Sequence, residues 1–111
     1  MKIIIESPHF TINEQLQSYT LEKVGKLAHF DEKLIKSEVM LKLDKAEADD
    51  NKICEIKVTG DKKNLFASRS SRTFEDAIIQ VIHALEKQLR KQKVVARHDG
   101  EKLEINNDLD Q

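Results

Sequence analysis

Two runs of strict alternation constrain the fold of this chain more than anything else in it. Val39, Leu41 and Leu43 alternate with Glu38, Met40 and Lys42, and Cys54, Ile56 and Val58 alternate with Glu55, Lys57 and Thr59. Period two sends the two sets to opposite faces of a strand, so each run is a half-buried β-strand with an apolar side that must be covered. Between them Lys45 to Asn51 is polar and carries Asp49-Asp50-Asn51, the composition of a hairpin loop. Gly60-Asp61-Lys62-Lys63-Asn64 supplies a second turn, and Leu65 to Ser70 makes a further short strand, so three sequential antiparallel strands are expected.

The cover comes from two segments with helical spacing. Asn13 can cap the first, with Glu14 in its first turn, and Leu16, Tyr19, Val24 and Leu27 recur until about His29. Gly25 inside it costs up to about 1 kcal/mol relative to Ala, which implies either tight packing or a close backbone approach. Thr73-Phe74-Glu75-Asp76 resembles a capping box with Asp in its fourth place and opens the second segment. There Ala77, Ile78, Val81, Ile82, Leu85 and Leu89 fall on one side, while His83, Lys87, Arg90 and Lys91 cluster opposite them at about 100° per residue. Ile3-Ile4-Ile5, ended by Glu6-Ser7-Pro8, makes a first strand over residues 2 to 6. The order is β-α-β-β-β-α: a single α+β domain with two helices packed on one face of a four-stranded sheet. A chain of 111 residues with 39% apolar content has material for one core and little beyond it.

A formal net charge of −1 hides a segregation. Residues 98–111 carry Asp99, Glu101, Glu104, Asp108 and Asp110 against Lys102 alone, and are read as a mobile acidic tail following a domain over 1–97. Without the tail, 18 basic and 15 acidic residues remain, and the stretch from Lys87 to Arg97 has no acid at all. Ordinary solvated helix faces mix Glu with Lys at i, i+4 spacing, whereas Glu86 is the only acid between Asp76 and Asp99. Three readings of the stripe stay open on this pattern: a nucleic-acid surface, a solvated face, or a docking site for an acidic protein partner.

Catalysis finds no footing. His9, His29, His83 and His98 lie in different elements, none at i, i+4 and none beside Cys54, so neither a nucleophile–base pair nor a metal site is expected. The three glycines are isolated and form no phosphate loop, and no cofactor is expected. Cys54, between apolar neighbours in a strand, reads as a small buried residue in a reducing cytoplasm. Ile3 to Ile5 is far short of the roughly 20 apolar residues of a membrane span, and no signal-peptide pattern follows Lys2.

Four stretches resemble the ribosome hibernation-promoting factor family (ribosome-associated inhibitor, or protein Y) in its short form. They are Lys2 to Glu6; Ile12-Asn13-Glu14 with Glu22-Lys23-Val24-Gly25-Lys26-Leu27; Val39-Met40-Leu41-Lys42-Leu43; and Ala77-Ile78 through Ile82-His83-Ala84-Leu85-Glu86-Lys87-Gln88-Leu89-Arg90-Lys91. The last is the most specific, and the resemblance covers about residues 1 to 95. It implies a fold similar to double-stranded-RNA-binding domains and a non-enzymatic protein of the cytoplasm, monomeric off the ribosome. Such a protein binds the small ribosomal subunit and its rRNA, competes with tRNA and mRNA for their channel, and silences translation in stationary phase or stress. By position, Lys23, Lys26, Lys87 and Lys91 match family residues that face rRNA, and Arg90, Lys93 and Arg97 extend the patch. Two positions depart from the pattern: Thr73-Phe74-Glu75 replaces the usual Asp, aliphatic residue and Tyr, and Ala84 stands where Lys is common.

Overall fold

The alternating runs form the two central strands of the sheet. In the computed structural model, which describes residues 1–45 and 49–97 and side chains as far as Lys91, the elements follow in a fixed order. They are β1 (Lys2–Glu6), α1 (Glu14–Gly25), α2 (Leu27–Phe30), β2 (Leu34–Leu43), β3 (Lys52–Gly60), β4 (Lys63–Ser71) and α3 (Phe74–Arg97). The four strands make one sheet in the order β1-β2-β3-β4. β2, β3 and β4 pair antiparallel through their hairpins, with Val39 opposite Ile56 and Ile56 opposite Ala67. β1 pairs parallel with β2, Ile3 opposite Ser37 and Ile5 opposite Val39. A parallel pair needs a crossover, and α1 with α2 supplies it.

That connectivity sets the helix directions. Each strand after β2 reverses the last, so α3 leaves β4 in the same sense in which α1 leaves β1, and the helices lie side by side, parallel. Contacts at both ends agree: the ring of Phe10, ahead of α1, stacks on Phe74 at the start of α3, and Arg90 of α3 stands over the ring of Phe30 in α2. Between the helices and the sheet lies the core, with Val24, Leu27, Leu41, Cys54, Ile56, Val58, Ile78, Val81, Leu85 and Leu89 at zero exposure. The buried hydroxyl of Thr20 donates to the Leu16 carbonyl at 2.7 Å, so its burial costs no hydrogen bond.

The caps form where the sequence places them. Asn13 Oδ1 accepts the Leu16 amide at 2.8 Å, and Thr73 Oγ1 accepts the Asp76 amide at 3.0 Å. Only that half of the α3 box is made. The Asp76 carboxylate turns instead to Ser71 Oγ and Gln80 Nε2, bonds that hold its pKa below the ordinary carboxylate range.

Four local features differ from expectation. The first helical segment is interrupted at Lys26, so α2 is a separate turn ending at Phe30. Neither reason anticipated for Gly25 holds: it is the last residue of α1, and a Cβ there would meet nothing within 4 Å. β2 begins at Leu34 rather than Ser37, because a bulge between Leu34 and Lys36 turns Ile35 out to solvent and breaks the alternation at its start. The β3–β4 turn is two residues long, Asp61 and Lys62, with Lys62 at φ 63°. Gly60 beside it is closely approached: a Cβ would sit 3.0 Å from Lys63 Cγ and 3.2 Å from Leu34 Cδ2, so those side chains would have to shift to admit one. Residues 98–111, expected as an acidic tail, lie outside the described residues.

Candidate nucleic-acid interface

α3 carries its charge where the helical period sends it. Lys87, Arg90 and Lys91 are exposed on the side away from Leu85 and Leu89. Lys26 is exposed in the turn between α1 and α2, and Lys23 is half-buried on α1, its ammonium 5.3 Å from the centroid of the Tyr19 ring. Lys93 and Arg97 continue along α3 by their place in the helix. The Arg90 guanidinium lies 5.8 Å from the centroid of Phe30, four residues beyond Lys26. This contact joins the basic stripe of α3 to the α1–α2 segment that carries Lys26.

Electrostatics separates this surface from the open face of the sheet. There Lys36 pairs with Glu38 at 3.4 Å and Lys42 with Glu55 at 3.0 Å, so much of the cationic charge is already neutralised. Among the described residues, none of Lys23, Lys26, Lys87, Arg90 and Lys91 has a carboxylate within 4 Å. A solvated helix in a chain this rich in acids usually finds such partners. Five unneutralised cations on braced helices instead present a stable field to an approaching polyanion.

The bracing is visible below the stripe. Asp31, at the end of α2, pairs with Lys63 at the start of β4, with side chains 9% and 22% exposed. Asp31 Oδ1 also accepts the Lys33 amide at 2.9 Å. The α2–β2 turn is therefore clamped to the β3–β4 hairpin, and Phe30, on which Arg90 rests, is fixed by the same clamp. At the other end of α3, the rings of Phe10 and Phe74 stack with centroids 4.9 Å apart. Phe74 sits where the expected family pattern has an aliphatic residue, and it anchors the α1 approach loop on the start of α3.

Two cationic or titratable residues that sequence reasoning left out of the site sit beside it. His83 is exposed one turn before Lys87, and Arg69 reaches the flank of α3 from β4. Leu65 and Ala67 are buried toward the helices, and the same period carries Arg69 to that side; this phase was the available signal.

The described residues contain no grouping of three or more His, Cys, Asp or Glu placed to hold a metal. Cys54 is enclosed, and burial, with Glu55 adding to it, pushes its thiol up to about 12. No helix among them is long and apolar enough to cross a membrane.

Comparison with known proteins agrees with this fold. A ribosomal subunit interface protein from Coxiella burnetii superposes with a TM-score of 0.76 at 20% identity, over 85% of this chain and 99% of that one. The N-terminal domain of Thermus thermophilus Protein Y superposes with a TM-score of 0.71 at 19% identity, over 83% of this chain and 99% of the domain. No curated protein sequence matches the chain. The family model for sigma 54 modulation protein / S30EA ribosomal protein matches residues 3–96, and the chain belongs to that family.

Proposed function

We propose that the protein is a ribosome-binding translation inhibitor, a hibernation factor that lays its basic helices on the rRNA of the small ribosomal subunit and fills the channel otherwise taken by mRNA and tRNA. It acts by occlusion and catalyses nothing. The observation that carries this reading is the set of exposed or half-buried cations on α1, the α1–α2 turn and α3 that have no carboxylate partner among the described residues. Family membership supports the ribosome as the polyanion in question. Lys23, Lys26, Lys87, Arg90, Lys91, Lys93 and Arg97 are the proposed contacts, and phosphate rather than base edges is what they meet. The residues 98–111, with a net charge of −4, are proposed as an acidic extension outside the binding domain.

Competition tests the channel assignment. Labelled protein bound to purified small subunits is titrated with deacylated tRNA and a short mRNA. Displacement at tRNA concentrations that fill the subunit is expected. Retention of the protein on tRNA-saturated subunits would refute occlusion of the channel and favour an acidic protein surface as the docking site.

A further inference from the structure

The basic surface does not end at the crest of α3. On its far flank, away from α2, a shallow groove of about 450 Å³ separates α3 from the edge of β4, lined by Arg69, Gln80, His83, Ala84, Lys87 and Gln88. Its walls are held at both ends. Gln80 Nε2 donates to the Asp76 carboxylate at 2.8 Å, and Gln88 Nε2 donates to the Phe66 carbonyl at 3.0 Å, tying α3 to the strand edge two turns further on. Ala84, in the middle, offers only a methyl group as floor, so the side chains of Arg69, His83 and Lys87 stand around an open space rather than filling it.

Arg69 is out of place for a solvated strand residue. It pairs in register with Cys54, which is fully buried, and it shares the helix-facing phase of Leu65 and Ala67. A cation at an inward position of an edge strand has one ordinary purpose, to stop edge-to-edge pairing. Its surroundings point to a second. One guanidinium N–H donates to the neighbouring Ser68 carbonyl at 2.8 Å, which leaves the rest of its donor fork uncommitted, and neither Arg69 nor Lys87 has a carboxylate within 4 Å among the described residues. Two cations, a histidine and two amides fixed by their own hydrogen bonds thus line one groove, and donors of this kind suit a tetrahedral oxyanion.

We propose that this groove seats a backbone phosphate of an RNA strand, with Arg69 and Lys87 as its cations and His83 and the Gln80 and Gln88 amides around it. The inference rests on the RNA-binding reading above and extends it from the helices onto the sheet edge. RNA would then follow the α3 surface from the Phe30–Arg90 junction across Lys87 to β4, so the binding face spans both flanks of the helix.

The test compares full-length R69Q with K57Q, which removes the same charge from the open face of the sheet. Binding of each to purified small subunits is measured across a salt series. R69Q is expected to weaken binding about two- to fivefold and to lower the slope of log K against log salt by about 1, with K57Q matching wild type. Equal behaviour of R69Q and K57Q would overturn the proposal and leave Arg69 its edge-blunting role. Should wild type fail to bind subunits, the ribosomal reading falls separately, and the groove is read from an isotope-labelled chain titrated with an RNA hairpin. Resonance shifts at Arg69, His83 and Lys87 that R69Q abolishes would uphold the groove, and shifts confined to other residues would overturn it. Arg69 is exposed, so a circular-dichroism melt matching wild type is expected for R69Q and keeps the comparison clean.

Discussion

Replacing Lys63 by Met removes the ammonium that faces the Asp31 carboxylate while keeping most of the side-chain volume. With 9% and 22% of their side chains exposed, these partners sit between two regimes. Exposed pairs couple by about 0.2–1 kcal/mol, and removing one partner of a fully buried pair costs about 3–5 kcal/mol. The clamp should fall between them, with Lys63→Met costing about 1–3 kcal/mol and lowering Tm by roughly 5–15 °C for a domain of this size. Asp31→Asn keeps the carbonyl oxygen that accepts the Lys33 amide and removes only the charge. A double-mutant cycle of Asp31→Asn and Lys63→Met by urea denaturation should return a coupling of about 1–2 kcal/mol. Because the clamp holds the turn carrying Phe30, each single variant should also weaken RNA binding through Arg90. A coupling below about 0.5 kcal/mol would mean that the pair behaves as a surface contact and does not clamp the turn.

Other consequences follow from burial and titration. Cys54, held up to about 12, should resist a thiol reagent at pH 8 until the domain unfolds, so that labelling tracks global opening; rapid labelling of the native protein would contradict its enclosure. A raised thiol pKa stabilises the fold fully below the unfolded value near 8.5 and loses that contribution as pH rises toward 12. Asp76 has the opposite sign: its bonds from Ser71 and Gln80 lower its pKa, so its contribution is present above about 3.9 and is lost as pH falls through the folded value. Asp76→Asn should therefore flatten the stability profile between about pH 5 and pH 2, and an unchanged profile would count against those bonds. Leu85→Ala, at a position with zero exposure between α3 and the sheet, should cost about 2–5 kcal/mol by denaturant titration; a cost under 1 kcal/mol would mean that the helix does not pack as described.

What was legible in the chain depended on whether one period ran undisturbed. Val39-Leu41 and Cys54-Ile56-Val58 alternate against charged neighbours and place two strands and their buried face directly. Ile3-Ile4-Ile5 carries no such contrast. Ile3 and Ile5 pack on the core while Ile4 looks onto the open face, a division that only the parallel pairing with β2 reveals. Ile35, exposed at the β2 bulge, interrupts the alternation and delayed the expected strand start by three residues. Gly25 suggests tight packing or a close backbone approach, whereas it ends α1 with open space beside it, and neither crowding nor a left-handed backbone requires a glycine there. The stripe on α3 was legible because one uninterrupted helix holds it. For Arg69 the sequence offers only the phase it shares with Leu65 and Ala67; that this phase brings it beside His83 and Lys87 of α3 is a tertiary fact.

Binding of ribosomal RNA by the cations of the helical face is measured by co-sedimenting wild type and the Lys87→Glu, Arg90→Glu, Lys91→Glu variant with purified small ribosomal subunits over a salt series. Wild type should bind with a log–log salt slope of up to about −5 to −6 if all seven proposed cations reach phosphate, and the variant, folded by circular dichroism, should not bind. A folded variant that sediments with subunits as wild type does would mean that these cations do not hold the RNA.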